Sequence, residues 1–267
     1  MTTIDINGTQ INYIDEGPKD APAIVFSNSM FFDVSMFEEQ AKAFSDRYRV
    51  VRYDHRGQGG SAKDTRDKLD MDTLADDTAA LIEALGLEKC CFVGNSMGGF
   101  IGLRLAARRP DLIASAVILG SSADAEVSVE AMDAVTEVIE QNGVSPVVDD
   151  VLYFMLGDTT LNDPARAPIM ERVTKMLESR TADYANAVWN IAHRKPVNDE
   201  LAKIKVPVWV VAGSEDHTYP PDHSQRIADG IKNSKYVLME KTGHVHAVER
   251  PDAVNQLLSE HLAATGL

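Results

Sequence analysis

Short runs of apolar residues alternate with stretches whose apolar positions recur at helical spacing, in two blocks separated by a purely helical one. In the first block, Ala23-Ile24-Val25-Phe26, Tyr48-Arg49-Val50-Val51-Arg52-Tyr53, Cys91-Phe92-Val93 and Ala114-Ser115-Ala116-Val117-Ile118-Leu119 read as strands. Such brief runs, bounded by turn residues, fit strands buried on both faces. The helical period predicts a helix from about Asp72 to Leu85 and another from about Phe100 to Ala107. In the second block, Val206-Pro207-Val208-Trp209-Val210-Val211-Ala212 and Tyr236-Val237-Leu238-Met239 repeat the strand pattern, and a final helix opens after Pro251. Alternating strand and helix predicts an α/β fold with a mostly parallel sheet covered by helices on both sides.

From Ser122 to Lys195 the strand pattern is missing, and start and stop signals bracket four helices instead. The first carries Val129, Met132, Val135 and Val138 and ends at Asn142-Gly143. The second opens at Ser145-Pro146 and ends near Gly157; the third opens at Asp163-Pro164; the fourth opens near Thr181 and contains Trp189. The expected division is therefore a core of residues 1–121 and 196–267, interrupted by a helical cap over 122–195. Met132, Met155, Met170 and Met176 lie in that cap, where methionine mostly packs but also makes adaptable pocket walls. Met155 and Trp189 are taken as pocket candidates, together with Asn28 and Phe31 from the core.

Bulk composition narrows the partners. A formal net charge of -15 should repel nucleic acid and anionic membrane, which leaves a small molecule as the expected partner. The start, Met1 to Gly8, has no basic residue followed by an apolar run, so no signal peptide is predicted and the cytoplasm is the expected compartment. Cys90 and Cys91, the two cysteines, are adjacent on a strand; their side chains should face opposite ways, against a mutual disulfide.

Gly94-Asn95-Ser96-Met97-Gly98 fits G-x-S-x-G between a strand and a helix, the setting of a nucleophile elbow. Its glycines leave room for a tight turn, and the helix behind Ser96 favours negative charge at the reacting centre. A serine nucleophile needs a base and an acid that orients it, expected in the chain order Ser, Asp/Glu, His on loops after later strands. Gly213-Ser214-Glu215-Asp216-His217 supplies the acid: Asp216 is favoured, with Glu215 and Asp124 as alternatives. Thr242-Gly243-His244-Val245-His246 supplies the base: His244 is favoured and His246 is its rival. The oxyanion should be bound by the amides of Met97 and of Met30, the latter in Ser27-Asn28-Ser29-Met30-Phe31. Asp54-His55-Arg56-Gly57-Gln58-Gly59-Gly60-Ser61 reads as a turn that braces the oxyanion loop.

These residues resemble the α/β-hydrolase superfamily, and within it the 3-oxoadipate enol-lactonase-like branch. Phe26-Ser27-Asn28-Ser29, the Tyr53 to Ser61 segment, Gly94-Asn95-Ser96-Met97-Gly98-Gly99, and Gly243-His244 with Glu249 carry the likeness. The Ser-Asn-Ser segment discriminates, because most of the superfamily shows His-Gly there. The resemblance covers both sheet blocks and fits the cap poorly. It implies a cofactor-free enzyme that opens a cyclic ester through an acyl-serine, and no metal is expected, because the only H-x-H is His244-Val245-His246 with no further clustered ligands.

Two positions depart from the branch. Met30-Phe31 stands where Leu-Gly is usual, narrowing the pocket mouth, and Gly120-Ser121-Ser122-Ala123-Asp124 lacks the arginine expected for a carboxylate-bearing substrate. Neutral lactones, such as acyl homoserine lactones, and simple esters therefore fit as well as an enol-lactone. Arg166, Arg172, Arg180, Arg194 and Lys195 in the cap are the groups that could restore a carboxylate site. Three other activities are compatible with the same residues: carbon–carbon bond hydrolysis, perhydrolysis, and ligand reception with slow turnover.

Overall fold

The computed structural model describes residues 2–267. Eight strands form one sheet: β1 (Thr2–Ile6), β2 (Thr9–Glu16), β3 (Ala23–Ser27), β4 (Arg49–Tyr53), β5 (Cys90–Asn95), β6 (Ile113–Leu119), β7 (Val208–Gly213) and β8 (Ser234–Met239). Their order is β1-β2-β4-β3-β5-β6-β7-β8. β2 pairs antiparallel with both β1 and β4, and every other pairing is parallel. All residues of β3, β5 and β7 are buried, which is why these strands read as continuous apolar runs. Cys90 and Cys91 are both buried and free.

Helices cover both faces. Met71–Ala84 is capped by Asp70, whose carboxylate accepts from the amides of Asp72 and Thr73. Met97–Arg108 follows β5, and Pro251–Thr265 ends the chain with proline at its first turn. The sequence order reverses about β3 and β5, and at such a switch point the carboxyl ends of neighbouring strands open a crevice. The loops after β3, β5, β7 and β8 all open there.

Between β6 and β7 the structure is helical, with Val129–Asn142, Val148–Met155, Asp158–Asn162, Ala167–Glu178 and Tyr184–Ala192 as its main helices. Four match the sequence reading. The additional one, Asp158–Asn162, is a single turn whose first amides are held from outside the segment: Gly157 N donates to Glu249 Oε2 at 2.9 Å and Thr159 N to Glu215 Oε2 at 2.6 Å. Among the described residues, no helix is long and apolar enough to cross a membrane.

Candidate active site

β5 ends at Asn95 and the next helix starts at Met97, so Ser96 alone makes the reversal. Its φ of 53° and ψ of -110° are sterically costly for a residue with a side chain, by about 1–3 kcal/mol. The surroundings impose that conformation. Ser96 N donates to Leu119 O at 2.9 Å, and Ser121 Oγ donates to Ser96 O at 2.9 Å. The flanking glycines are a spatial necessity: a Cβ on Gly94 would stand 2.2 Å from Gly98 O, and one on Gly98 2.1 Å from Ser27 O. The helix thus sits directly on the backbone after β3, and Gly98 N donates to Asn28 O at 3.1 Å.

His244 lies on the loop after β8. Its Nδ1 is 3.0 and 3.1 Å from the two carboxylate oxygens of Asp216, on the loop after β7, and both side chains are fully buried. A carboxylate only accepts, so Nδ1 carries the proton and Nε2 presents a lone pair. Asp216 Oδ1 also accepts from the amides of Thr218 and Tyr219, each at 2.9 Å, so the carboxylate is oriented by its own loop. His244 Nε2 is buried and makes no hydrogen bond, and His244 and Ser96 line one cavity.

The alternatives for acid and base are engaged elsewhere. Glu215 accepts from the amide and hydroxyl of Thr159. Asp124 accepts from Arg226 and Asn198. His246 Nδ1 bonds His244 O at 3.1 Å, and burial lowers its pKa to about 4, so the ring is neutral. Three contacts that the sequence reading does not contain hold the histidine in place. Asn95 Nδ2 donates to His244 O at 2.9 Å, Met155 O accepts from His244 N at 3.2 Å, and the Tyr219 ring meets the imidazole edge-on. Such contacts join positions far apart in the chain, which no local pattern announces.

Neither Met30 N nor Met97 N finds an acceptor among the described residues, so both amides are free to bind an incoming group. The Asp54–Ser61 segment braces the loop that carries Met30. Asp54 accepts from Val34 N and Gly60 N, each at 2.7 Å, and His55 Nε2 bonds Asn28 O at 3.1 Å. Arg56 pairs with the buried Asp77 at 2.7 Å, away from the cavity.

The cavity encloses about 320 Å³. Phe31 and Met155 line it, with Met132, Val135, Val188 and Ile191 as further apolar wall. Met170 and Met176 instead pack against the hydrophobic core. Two pocket candidates are corrected. Asn28 is fully buried, does not line the cavity, and donates its Nδ2 to Tyr53 O at 2.9 Å, so it is a backbone brace. Trp189 follows Val188, and one step along a helix turns a side chain through about 100°. It stacks on His193 with centroids 4.1 Å apart and under the Arg66 guanidinium, away from the cavity.

Among the described residues, no lysine or arginine lines the cavity; its titratable lining residues besides His244 include Glu126, Asp150 and His217. Arg194, the one fully buried cationic group of the five considered, is spent on Glu126 at 2.9 Å and lies over the Phe100 ring. Arg166 donates to Glu249 O and Arg180 to Phe31 O, while Arg172 and Lys195 are exposed.

The profile of the alpha/beta hydrolase fold matches residues 22–251. 3-Oxoadipate enol-lactonase 2 of Acinetobacter baylyi is 29% identical over 254 residues, covering 95% of this chain and 93% of that protein. The carbamate hydrolase candidate RutD of Agrobacterium fabrum is 29% identical over 249 residues, 91% and 94% of the two chains. The crystal structure of the enol-lactonase from Burkholderia xenovorans LB400 superposes with a TM-score of 0.89 at 28% identity, covering 98% of this chain and all of that one. Est816, described as an N-acyl homoserine lactone degrading enzyme, superposes with a TM-score of 0.82 at 26% identity, covering 97% and 99%.

Proposed function

The chain is a hydrolase of the α/β-hydrolase fold family, and we propose that it cleaves the ester bond of a neutral lactone or ester through an acyl-serine. The observation that carries this reading is the cavity itself: Ser96 and the Asp216-bound His244 share it beneath largely apolar walls that, among the described residues, bear no lysine or arginine.

His244 Nε2 takes the Ser96 hydroxyl proton as Oγ adds to the carbonyl carbon. The resulting oxyanion receives hydrogen bonds from Met30 N and Met97 N. Asp216 keeps the proton-bearing Nδ1 of His244 in place and stabilises the imidazolium. As the tetrahedral species collapses, the carbon–oxygen bond of the leaving alkoxide breaks and His244 returns the proton to it. Water then adds to the acyl-serine, with His244 again as base, and releases the acid. In a lactone the alcohol stays tethered to the acyl group, so water must arrive before the ring recloses. Residues 122–195 form the cap that shapes this cavity and controls water entry.

Charge decides the substrate class. A carboxylate placed beside Glu126 and Asp150 would lose its hydration with no lysine or arginine on the cavity wall to replace it, which costs several kcal/mol. Neutral acyl homoserine lactones and alkyl esters meet no such barrier. The test is proton release by the wild type and by Ser96→Ala over a panel of neutral lactones, linear esters, a carbamate and a carboxylate-bearing enol-lactone. Ser96-dependent turnover of neutral esters or lactones, at least about tenfold above the carboxylate-bearing ring, is expected. Preference for the carboxylate-bearing ring would overturn the substrate class; turnover by Ser96→Ala at the wild-type rate would overturn the mechanism.

A further inference from the structure

The loop that carries Met30 is held from the cap. Ser29 O accepts from Phe32 N at 3.2 Å, closing a turn with Met30 and Phe31 at its corners. Phe31 has a φ of 71°, the left-handed value that a type II turn requires of its third residue and that usually selects glycine. A trans peptide points its N–H opposite to its C=O. With Ser29 O drawn into the turn, Met30 N–H therefore points out of it.

Phenylalanine stays in that conformation only where its neighbours over-determine it. Arg180, between the cap helices Ala167–Glu178 and Tyr184–Ala192, supplies the constraint. Its Nε donates to Phe31 O at 2.7 Å and its Nη2 to Asp33 Oδ2 at 2.7 Å, so one planar fork grips the chain on the far side of the turn. Burial works to raise the Asp33 pKa, but hydrogen bonds from Ser35 and Arg180 outweigh it and hold the carboxyl below its usual range. Arg180 is itself fixed: its carbonyl accepts from Val144 N at 3.1 Å, and its guanidinium lies over the Tyr184 ring, which stacks on Phe31.

We propose that Arg180 is a positioning residue that couples the cap to the Met30 oxyanion donor. The inference rests on the hydrolase reading above. Freed from Arg180, the Phe31 carbonyl turns as its backbone relaxes out of the left-handed region, and the Ser29–Met30 peptide swings with it. A cap displaced from Arg180's partners thus leaves only the Met97 amide aligned.

The experiment measures Arg180→Ala on a neutral ester that the wild type hydrolyses. The kcat should fall about 10- to 100-fold, short of the full loss of a donor, with KM within about threefold. Affinity for an alkyl boronic acid, which forms a tetrahedral adduct on the serine, should fall in parallel, and added guanidinium ion should restore part of kcat. Asp183→Ala serves as control, because it severs the nearby Lys63–Asp183 tether of cap to core without touching Phe31, and should keep wild-type kcat. Should Arg180→Ala not fold, Arg180→Lys, which keeps the charge but not the fork, should show the same losses on a smaller scale. Unchanged kcat, a loss confined to KM, or equal losses in the Asp183 control would overturn the proposal while leaving the hydrolase reading intact. A wild type without Ser96-dependent turnover would overturn both.

Discussion

Ser96 occupies its strained conformation because the atoms around it leave no wider path, and Gly98 is the tightest of them. A methyl group on Gly98 meets the backbone oxygen of Ser27, which cannot rotate away as a side chain would. Gly98→Ala should push the helix off the oxyanion loop and break the bond from Gly98 N to Asn28 O. The expected result is a loss of kcat by at least about a hundredfold, the scale of one oxyanion donor. Overpacking should add about 1–3 kcal/mol of destabilisation in a urea titration. Wild-type kcat in that variant would show that the contact is not needed for alignment. At this scale the candidates Ser96, Asp216 and His244 are legible in the sequence because each follows a strand in the order the proposed chemistry demands. Asn28 and Trp189 depart from the expected pocket because sequence gives a residue's place on an element, while its orientation follows from neighbours such as Tyr53, His193 and Arg66. Arg180 carries no signal in its own surroundings, since its partners, Phe31 and Asp33, lie 149 and 147 positions away.

Elements were readable where burial is complete. The interior strands are unbroken apolar runs, and the cap helices announce themselves by proline and glycine at their ends. The hairpin of β1 and β2 carries no such signal. Residues Thr2, Thr3 and Asp5 are exposed and only Ile4 and Ile6 of β1 face inward, too few to mark a strand, and its pairing with β2 supplies what its composition lacks. The single turn Asp158–Asn162 lacks a local signal for a related reason. Its leading amides and hydroxyls are satisfied by Glu215 and Glu249, which stand on the loop after β7 and beyond β8. Glu249 Oε1 also accepts from Gly243 N at 2.9 Å, so one buried carboxylate ties the cap to the loop of His244. Burial raises its pKa, and the amide and hydroxyl donors work against that rise. Cap placement and histidine placement therefore share a support that neither element's own sequence reveals.

Over the whole molecule, acidity should weaken the fold before it strips the carboxylates. Burial lowers the pKa of His55 and of His246 from 6.5 to about 4. Between those values the unfolded chain binds the protons that the native state refuses. Their contribution is thus complete above pH 6.5 and is lost as pH falls toward 4. From pH 7 to pH 5 each histidine should cost about 2 kcal/mol, offset in part by Asp54 and Glu249, whose burial raises their pKa and acts with the opposite sign. The urea midpoint should therefore drop across that interval, and a constant midpoint would contradict the buried neutral assignment. The central claim concerns one bond, between Ser96 Oγ and the acyl carbon of a neutral substrate. Intact-mass and peptide analysis after rapid acid quench with a slowly hydrolysed neutral ester tests it directly. A single acyl adduct on the peptide containing Ser96, missing from Ser96→Ala, is the predicted result. Steady turnover with the adduct on another residue, or undiminished in Ser96→Ala, would contradict it.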